Sequence, residues 1–146
     1  MLVYRITKAK YASELVASGF RNRWNDDGQY VIYTSDSRAL ACLENLVHRS
    51  KSGNNLLFST MIISIPDELP VLTVQEKDLP KGWRKGYCEE CLQMGKKWYI
   101  ENKFPMLKTP SSIISNEWNY ILNTRHQDFS KIKLIGTEGF LFDERL

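Results

Sequence analysis

The chain has 146 residues, of which 42% are hydrophobic and 25% charged, and its formal net charge is +3 at pH 7. This length and balance fit one globular domain over residues 1–146 and exclude a disordered chain. A charge this small does not by itself indicate a nucleic-acid partner, and no apolar run reaches the length of a membrane helix.

The cysteine count and the N-terminal pattern together predict the compartment. Three cysteines, an odd number, argue against a disulfide framework. The N-terminal residues lack the pattern of a signal peptide and begin directly as a strand. We therefore expect a cytoplasmic protein.

The first third of the chain alternates predicted strands and helices. Residues 2–7 alternate in side-chain type and predict a strand, and residues 11–18 predict a short helix that Gly19 ends. After the turn signal at residues 26–28, residues 30–33 predict a strand. A helix over residues 37–48 follows it.

The remaining elements follow from hydrophobic runs and from turn residues. A glycine inside the helix over residues 87–102, Gly95, permits a close backbone approach. In chain order we predict a polar loop over 49–55, a strand buried on both faces over 56–65, a strand over 71–74, the helix over 87–102, an extended stretch over 106–114, a turn or short helix over 116–123, and strands over 132–135 and 137–142.

Two charged residues lie in apolar surroundings. Arg5 lies inside the first strand, where alternation places it opposite Tyr4 and Ile6, and a buried arginine needs a partner. Glu44 lies one step from the apolar face of the helix over residues 37–48, with His48 one turn further on. A carboxylate there is either half-buried at a cost or functional.

A basic and aromatic turn precedes the second strand. Arg21, Arg23 and Trp24 would suit a nucleic acid, through stacking and phosphate contacts, and they would equally suit a dinucleotide. They also fit an ordinary exposed turn with the tryptophan folded inward. Neither a P-loop, a GxGxxG nor a GxSxG motif is present.

Cys88 and Cys91 form a CxxC pair. A structural zinc site needs four ligands, and the chain offers only Cys42, His48 and His126 elsewhere. We therefore expect two helix cysteines and no bound metal.

The chain resembles the RES domain family, the toxins of bacterial RES–Xre toxin–antitoxin pairs, through an ordered set of short motifs. These motifs are Val3-Tyr4-Arg5-Ile6, Arg23-Trp24-Asn25, Val31-Ile32-Tyr33-Thr34-Ser35, Ala41-Cys42-Leu43-Glu44, Leu79-Pro80-Xaa-Gly82-Trp83, Gly95-Xaa-Xaa-Trp98, Pro110-Ser111, Asn119-Tyr120-Ile121-Leu122-Asn123 and His126-Gln127-Asp128-Phe129. Each motif is short, but their order spans nearly the whole chain. One departure is Asn22, which stands where the family usually has glycine before Arg-Trp-Asn.

The resemblance implies a mixed α/β fold like that of ADP-ribosyltransferases, with a central mixed sheet and a cleft for NAD+. It implies consumption of NAD+ as a substrate, by hydrolysis, phosphorolysis or ADP-ribosyl transfer, and neutralisation by an Xre-type antitoxin. Carried over residue by residue, it implies the catalytic residues Arg5, Tyr33, Glu44 and Ser111 and the NAD+-binding residues Arg23, Trp24, Asn119 and His126.

The implied chemistry agrees with these residue types. Cleavage of the nicotinamide–ribose bond builds positive charge on the ribose, which a carboxylate such as Glu44 would stabilise. Arg5 could hold the pyrophosphate, and Tyr33 could stack on the cationic nicotinamide ring. Ser111 could bond a ribose or phosphate oxygen.

Two other classes of function compete with an NAD+-consuming enzyme. A nucleic-acid-binding or RNA-cleaving toxin would use Arg21, Arg23 and Trp24 with His48 or His126. A binding module would recognise ADP-ribose without turnover.

Overall fold

The computed structural model describes residues 1–48 and 57–146, where seven strands form one sheet in the order β4-β5-β6-β2-β1-β3-β7. The predicted loop over 49–55 and the first residue of the strand predicted over 56–65 lie outside the described residues. The strands are β1 (Leu2–Lys8), β2 (Val31–Ser35), β3 (Phe58–Ser64), β4 (Val71–Thr73), β5 (Met106–Pro110), β6 (Trp118–Asn123) and β7 (Lys133–Phe140). The helices are α1 (Arg38–His48) and α2 (Glu89–Glu101), with short 3-10 helices at Ala9–Tyr11, Glu76–Asp78 and Gln127–Lys131.

The sheet is mixed. β4 and β5 run parallel, and the other neighbouring strands pair antiparallel. The predicted fold class, a mixed α/β fold built on a central mixed sheet, is confirmed.

Both faces of the sheet are covered by apolar side chains. In β6, Tyr120 and Leu122 join the core on one face, and Ile121 joins the core on the other. That second face carries Cys91 and Trp98 of α2. Because both faces are buried, the central strands lack the clear alternation of apolar and polar residues that marks a half-exposed strand.

The helix predicted over residues 11–18 is wrong. Only Ala9–Tyr11 is helical, as a single 3-10 turn, and the chain from residue 12 to residue 18 is irregular. Leu15 and Ala17 pack against the core, but Val16 between them and Ser18 after them are exposed. Burial at every second residue is the pattern of an extended chain rather than of a helix.

The turn or short helix predicted over residues 116–123 is wrong for residues 118–123, which form the central strand β6. β6 is paired with β5 on one side and with β2 on the other. The strands predicted over 132–135 and 137–142 form the single strand β7 along β3, with a register shift at Ile62 and Ile63. In both cases distant partner strands decided the outcome.

The sheet opens between β1 and β2. β1 pairs with β3 along all seven of its residues, but among the described residues it pairs with β2 only at Tyr4 and Ser35. β2 is paired with β6 throughout. The two central strands therefore diverge beyond this pair, and the opening leads into a large cavity.

Candidate active site

A cavity of about 980 Å³ lies at this opening, between α1, the basic turn and the loop that leads into α2. Its volume is at the upper end of the range that small-molecule sites occupy. Six of the predicted site residues line it: Arg5, Arg23, Trp24, Tyr33, Glu44 and Asn119. Ser111 is not among the lining residues but donates to Glu44, and His126 lies outside the cavity.

Arg5 lines the cavity together with Tyr4 and Ile6, although strict alternation places it on the opposite face of β1. Its Nη1 donates to the carbonyl oxygen of Tyr33 at 3.1 Å. That carbonyl belongs to the part of β2 that β1 does not pair with. Burial lowers the pKa of Arg5 from its ordinary value.

Tyr33 is held by the basic turn. Its hydroxyl donates to Oδ1 of Asn25 at 2.6 Å and accepts from the backbone N–H of Trp24 at 3.1 Å. Burial raises the pKa of Tyr33, so the phenol stays protonated. The hydroxyl is therefore used within the protein, and the aromatic ring is the part of Tyr33 left for a ligand.

Arg23 ties the basic turn to the loop before α2. Its Nη1 donates to the carbonyl oxygen of Trp83, and its Nη2 donates to that of Arg84 at 3.4 Å. The guanidinium also lies 5.7 Å from the ring centroid of Trp83. Arg23 therefore shapes the wall of the cavity as well as charging it.

Trp24 is only 3% exposed and belongs to the core beneath the cavity. Its carbonyl oxygen would lie 1.6 Å from a Cβ placed on Gly95. The close backbone approach that Gly95 permits is therefore present, and it docks α2 against the basic turn.

Asn22 does not need the backbone freedom of a glycine. It is not among the described residues with positive φ, and its Oδ1 accepts from the N–H of Arg23 at 2.8 Å. The departure at this position leaves the turn intact.

Glu44 projects from α1, whose first turn is capped by the hydroxyl of Ser37, 3.0 Å from the N–H of Leu40. Its Oε1 accepts from Nδ2 of Asn119 at 2.7 Å and from Oγ of Ser111 at 3.3 Å. The carboxylate is thus held by residues of β6 and of the chain after β5. It lies on the cavity wall.

Ser111 is fully buried, and its hydroxyl is saturated. It accepts from the N–H groups of Ile113 and Ile114, both at 3.1 Å, and it donates to Glu44. These contacts use its two lone pairs and its single proton. Ser111 therefore has no bond left for a ribose or phosphate oxygen in this arrangement.

His126 is 7% exposed and caps a 3-10 helix, where its Nδ1 accepts from the N–H of Asp128 at 3.0 Å. The structure gives it a structural contact away from the cavity.

Two cavity residues escaped the sequence reasoning. Arg84 donates from Nη1 to the carbonyl oxygen of Ser111 at 3.1 Å and forms an ion pair with Glu76. Ser35 donates to Oδ1 of Asn119 at 2.7 Å. Both belong to or adjoin motifs that the sequence displays, but their roles depend on partners far away along the chain.

The cavity is dominated by positive charge. Arg5, Arg21, Arg23 and Arg84 line it, and Glu44 is the only carboxylate among the described lining residues. Arg21 and Arg84 are neutralised by Asp26 and Glu76, whereas no described carboxylate lies within ion-pair distance of Arg5 or Arg23. Such a site favours an anionic ligand of which one part carries or develops positive charge beside Glu44.

Cys88 and Cys91 lie at the start of α2. The Cys88 side chain caps the helix by accepting from the N–H of Cys91 at 3.3 Å. Burial and the neighbouring Cys88 raise the pKa of Cys91 to about 12, which keeps this thiol protonated. Within residues 1–48 and 57–146 no group of three or more His, Cys, Asp or Glu could hold a metal ion.

We expect the purified protein to contain no stoichiometric zinc, because the cysteine pair lacks a second pair of ligands. Elemental analysis of the protein checks this. Zinc at one equivalent that is lost on Cys88→Ser would contradict the prediction.

No helix in the described ranges is long and apolar enough to cross a membrane.

The fold and the cavity place the protein in a definite structural class, the mixed α/β domains in which an arginine-lined cavity holds a carboxylate. The model of the RES domain family matches residues 2–143, and the chain therefore belongs to the RES domain family. The family prediction is confirmed.

Relatives with the same span agree with this assignment. The Prs ADP-ribosylating toxin of Sphingobium sp. (strain YBL2) is 33% identical over 143 residues, which cover 92% of this chain and 88% of that protein. Toxin Res of Yersinia enterocolitica is 32% identical over 152 residues, which cover 100% of this chain and 99% of that protein. These names support the toxin class.

The fold is also found in a solved complex. A chain in the crystal structure of the M. tuberculosis MbcT-MbcA toxin-antitoxin complex superposes with a TM-score of 0.77 at 16% identity. The match covers 95% of this chain and 83% of that chain. At this identity the likeness concerns the fold alone.

Proposed function

We propose that this protein is an enzymatic toxin that cleaves the nicotinamide–ribose bond of NAD+ and transfers the ADP-ribosyl group to water, phosphate or a protein. The observation that carries the proposal is the placement of Glu44, a firmly held carboxylate in a cavity whose other charged side chains include four arginines. The 33% identity to a protein named as an ADP-ribosylating toxin supports the same chemistry.

The positive and negative side chains of the cavity suit two different parts of NAD+. Arg5 and Arg23, which have no carboxylate partner among the described residues, suit the pyrophosphate. Glu44 suits the ribose, where positive charge develops as the bond to nicotinamide breaks. Nicotinamide leaves as a neutral molecule, so the step needs no general acid.

The aromatic ring of Tyr33 suits the nicotinamide. Its hydroxyl is bonded to Asn25 and Trp24, so the ring is fixed in place. The cationic nicotinamide of NAD+ favours such a π face, and the attraction is lost when the ring becomes neutral on cleavage.

The test is to incubate the purified protein with NAD+ and to follow nicotinamide release. We expect turnover that depends on the protein, with ADP-ribose, ADP-ribose phosphate or labelled protein as the second product. Binding of NAD+ or ADP-ribose without nicotinamide release would favour the binding module instead.

A nucleic-acid toxin is less well supported by the geometry. His126 caps a helix away from the cavity, and Trp24, the side chain on which a base would stack, is only 3% exposed. Of the two histidines only His48 lines the cavity. Cleavage of RNA by the protein in the absence of NAD+ would overturn the proposal.

We further propose that an Xre-type antitoxin neutralises this protein by covering the cavity. The mouth carries Arg21 and Arg23 with the exposed side chains of Phe20 and Tyr87, which together would accept an acidic or carboxylate-bearing segment next to an apolar one.

In that case saturating antitoxin should abolish nicotinamide release, and Arg21→Glu should weaken the complex because it reverses the charge at the mouth. Titration of activity with antitoxin measures both effects. An antitoxin that binds tightly and leaves turnover intact would contradict the proposal.

A further inference from the structure

The side chains of Ser35, Asn119 and Glu44 form a continuous chain of hydrogen bonds. Oγ of Ser35 donates to Oδ1 of Asn119 at 2.7 Å, and Nδ2 of Asn119 donates to Oε1 of Glu44, also at 2.7 Å. Ser35 and Asn119 face each other in register on β2 and β6. The pairing of two strands therefore fixes the first two members relative to one another.

The chemistry of the groups allows only one orientation of the Asn119 amide. An ionised carboxylate accepts hydrogen bonds and cannot donate them, so the Nδ2 end must face Glu44. The Oδ1 end then faces Ser35, whose hydroxyl supplies the proton. Ser35 is 3% exposed, so water does not compete freely for this bond.

The two oxygens of Glu44 have different surroundings. Oε1 accepts from both Asn119 and Ser111, whereas Oε2 has no hydrogen-bond partner among the described residues. Rotation of the carboxylate would break both bonds to Oε1. The held oxygen and the free oxygen are thus distinguished by the fold.

We propose that Asn119 and Ser35 are positioning residues that act through Glu44, and that Oε2 is the oxygen presented to the ribose. This inference rests on the proposed cleavage of NAD+ and assigns Asn119 a role different from direct NAD+ binding. Asn119 orients the carboxylate, and Ser35 orients Asn119. Because Oε1 is anchored, the negative charge is in place before the substrate arrives, which is how a preorganised group lowers a barrier.

The second N–H of the Asn119 amide has no partner among the described residues, so it is available to donate to NAD+ directly. The affinity for NAD+ therefore separates direct binding by Asn119 from positioning of Glu44. If Asn119 positions Glu44, Asn119→Ala should lower kcat by roughly 10- to 100-fold, the range seen when a group that orients a metal-ligating side chain is removed. The Kd for NAD+ should change less than about twofold. A rise in Kd with kcat unchanged would overturn the proposal in favour of direct binding.

Asn119→Asp is a sharper variant of the same size. It places a second carboxyl group beside Glu44, and two carboxyl groups this close share one proton, which spreads the single negative charge over both residues, so kcat should fall further than in Asn119→Ala. A kcat equal to or above that of the alanine variant would contradict the proposed positioning role of Asn119.

The order of the chain is tested with Ser35→Ala, Asn119→Ala and the double variant. Because Ser35 acts only through Asn119, the double variant should have the kcat of Asn119→Ala, and the two losses should not multiply. Ser59→Ala, the same exchange in β3 at a residue outside the cavity lining, should leave kcat unchanged. Independent losses from Ser35 and Asn119 would overturn the proposed order.

A readout that needs no turnover separates this proposal from the proposed function. The side-chain amide signal of Asn119 in 15N-labelled protein should shift on Glu44→Gln and on Ser35→Ala, and stay in place on Ser59→Ala. If the wild type releases no nicotinamide but these shifts occur, the NAD+ proposal fails and the hydrogen-bonded chain stands. If nicotinamide is released but the Asn119 signal does not shift on Glu44→Gln, the positioning role of Asn119 is wrong and the proposed function stands.

Discussion

Glu44→Gln is expected to lower the rate of nicotinamide release by about 10²–10³-fold, or about 3–4 kcal/mol, because it removes the negative charge that, in the proposed cleavage, stabilises the developing cation. The glutamine keeps an oxygen able to accept from Asn119 and Ser111, so the side chain should stay in place. The affinity for NAD+ should be nearly unchanged, since the charge acts mainly in the transition state.

Single-turnover nicotinamide release and calorimetric binding of NAD+ measure the two effects separately. Glu68→Gln makes the same chemical change in an exposed loop outside the cavity lining and should leave both quantities unaltered. Cells that express Glu44→Gln should keep their NAD+ and continue to grow.

Two outcomes would redirect the interpretation. If Glu44→Gln weakens binding and turnover equally, Glu44 is a binding residue, and the charge that stabilises the ribose lies elsewhere. If it changes neither quantity, the cavity is not the site of cleavage.

Gly95→Ala is expected to destabilise the fold and to displace the backbone of Trp24, which lines the cavity. The added Cβ would lie 1.6 Å from the carbonyl oxygen of Trp24 and 2.4 Å from its carbonyl carbon. Overpacking costs typically about 1–3 kcal/mol, and here the obstacle is backbone, which cannot rotate away, so we expect about 3 kcal/mol or more. The gain of roughly 1 kcal/mol in helix propensity offsets only part of this cost.

Urea unfolding of Gly95→Ala against wild type measures the loss. Gly139→Ala is the matched control, because no atom lies within 4 Å of its added Cβ and its φ is not positive. The control should change stability by less than about 0.5 kcal/mol. A Gly95→Ala protein as stable as the control would show that α2 does not dock this closely on the turn.

The same substitution should lower activity even in molecules that fold. The displaced backbone of Trp24 donates to the hydroxyl of Tyr33, and Arg23 precedes it in the turn. Helix packing and site geometry are therefore linked through one glycine.

Local pattern was sufficient for several elements. α1, β1 and β3 have strong hydrophobic periodicity or long apolar runs, and their bounds differ from the predicted ones by only a few residues. The local pattern also permits the close approach at Gly95, since a glycine inside a helix leaves room for a neighbouring backbone.

Residues 116–123 show where local pattern fails. Asparagines and a turn-like composition concealed β6, whose strand character comes from pairing with β5 and β2 on both edges. Such pairing depends on residues far away along the chain, so the strand propensity of a short segment cannot predict it.

The sequence by itself determined the family and, through that resemblance, the fold class and the candidate site residues, because ordered motifs are local properties of the chain. Only the tertiary structure decided how these residues act on one another. Glu44 meets Ser111 and Asn119 across separations of 67 and 75 residues, and those contacts saturate the serine and orient the asparagine. The physical reason is that a hydrogen bond is defined by distance and direction, which the folding of the sheet imposes on side chains that the sequence keeps far apart.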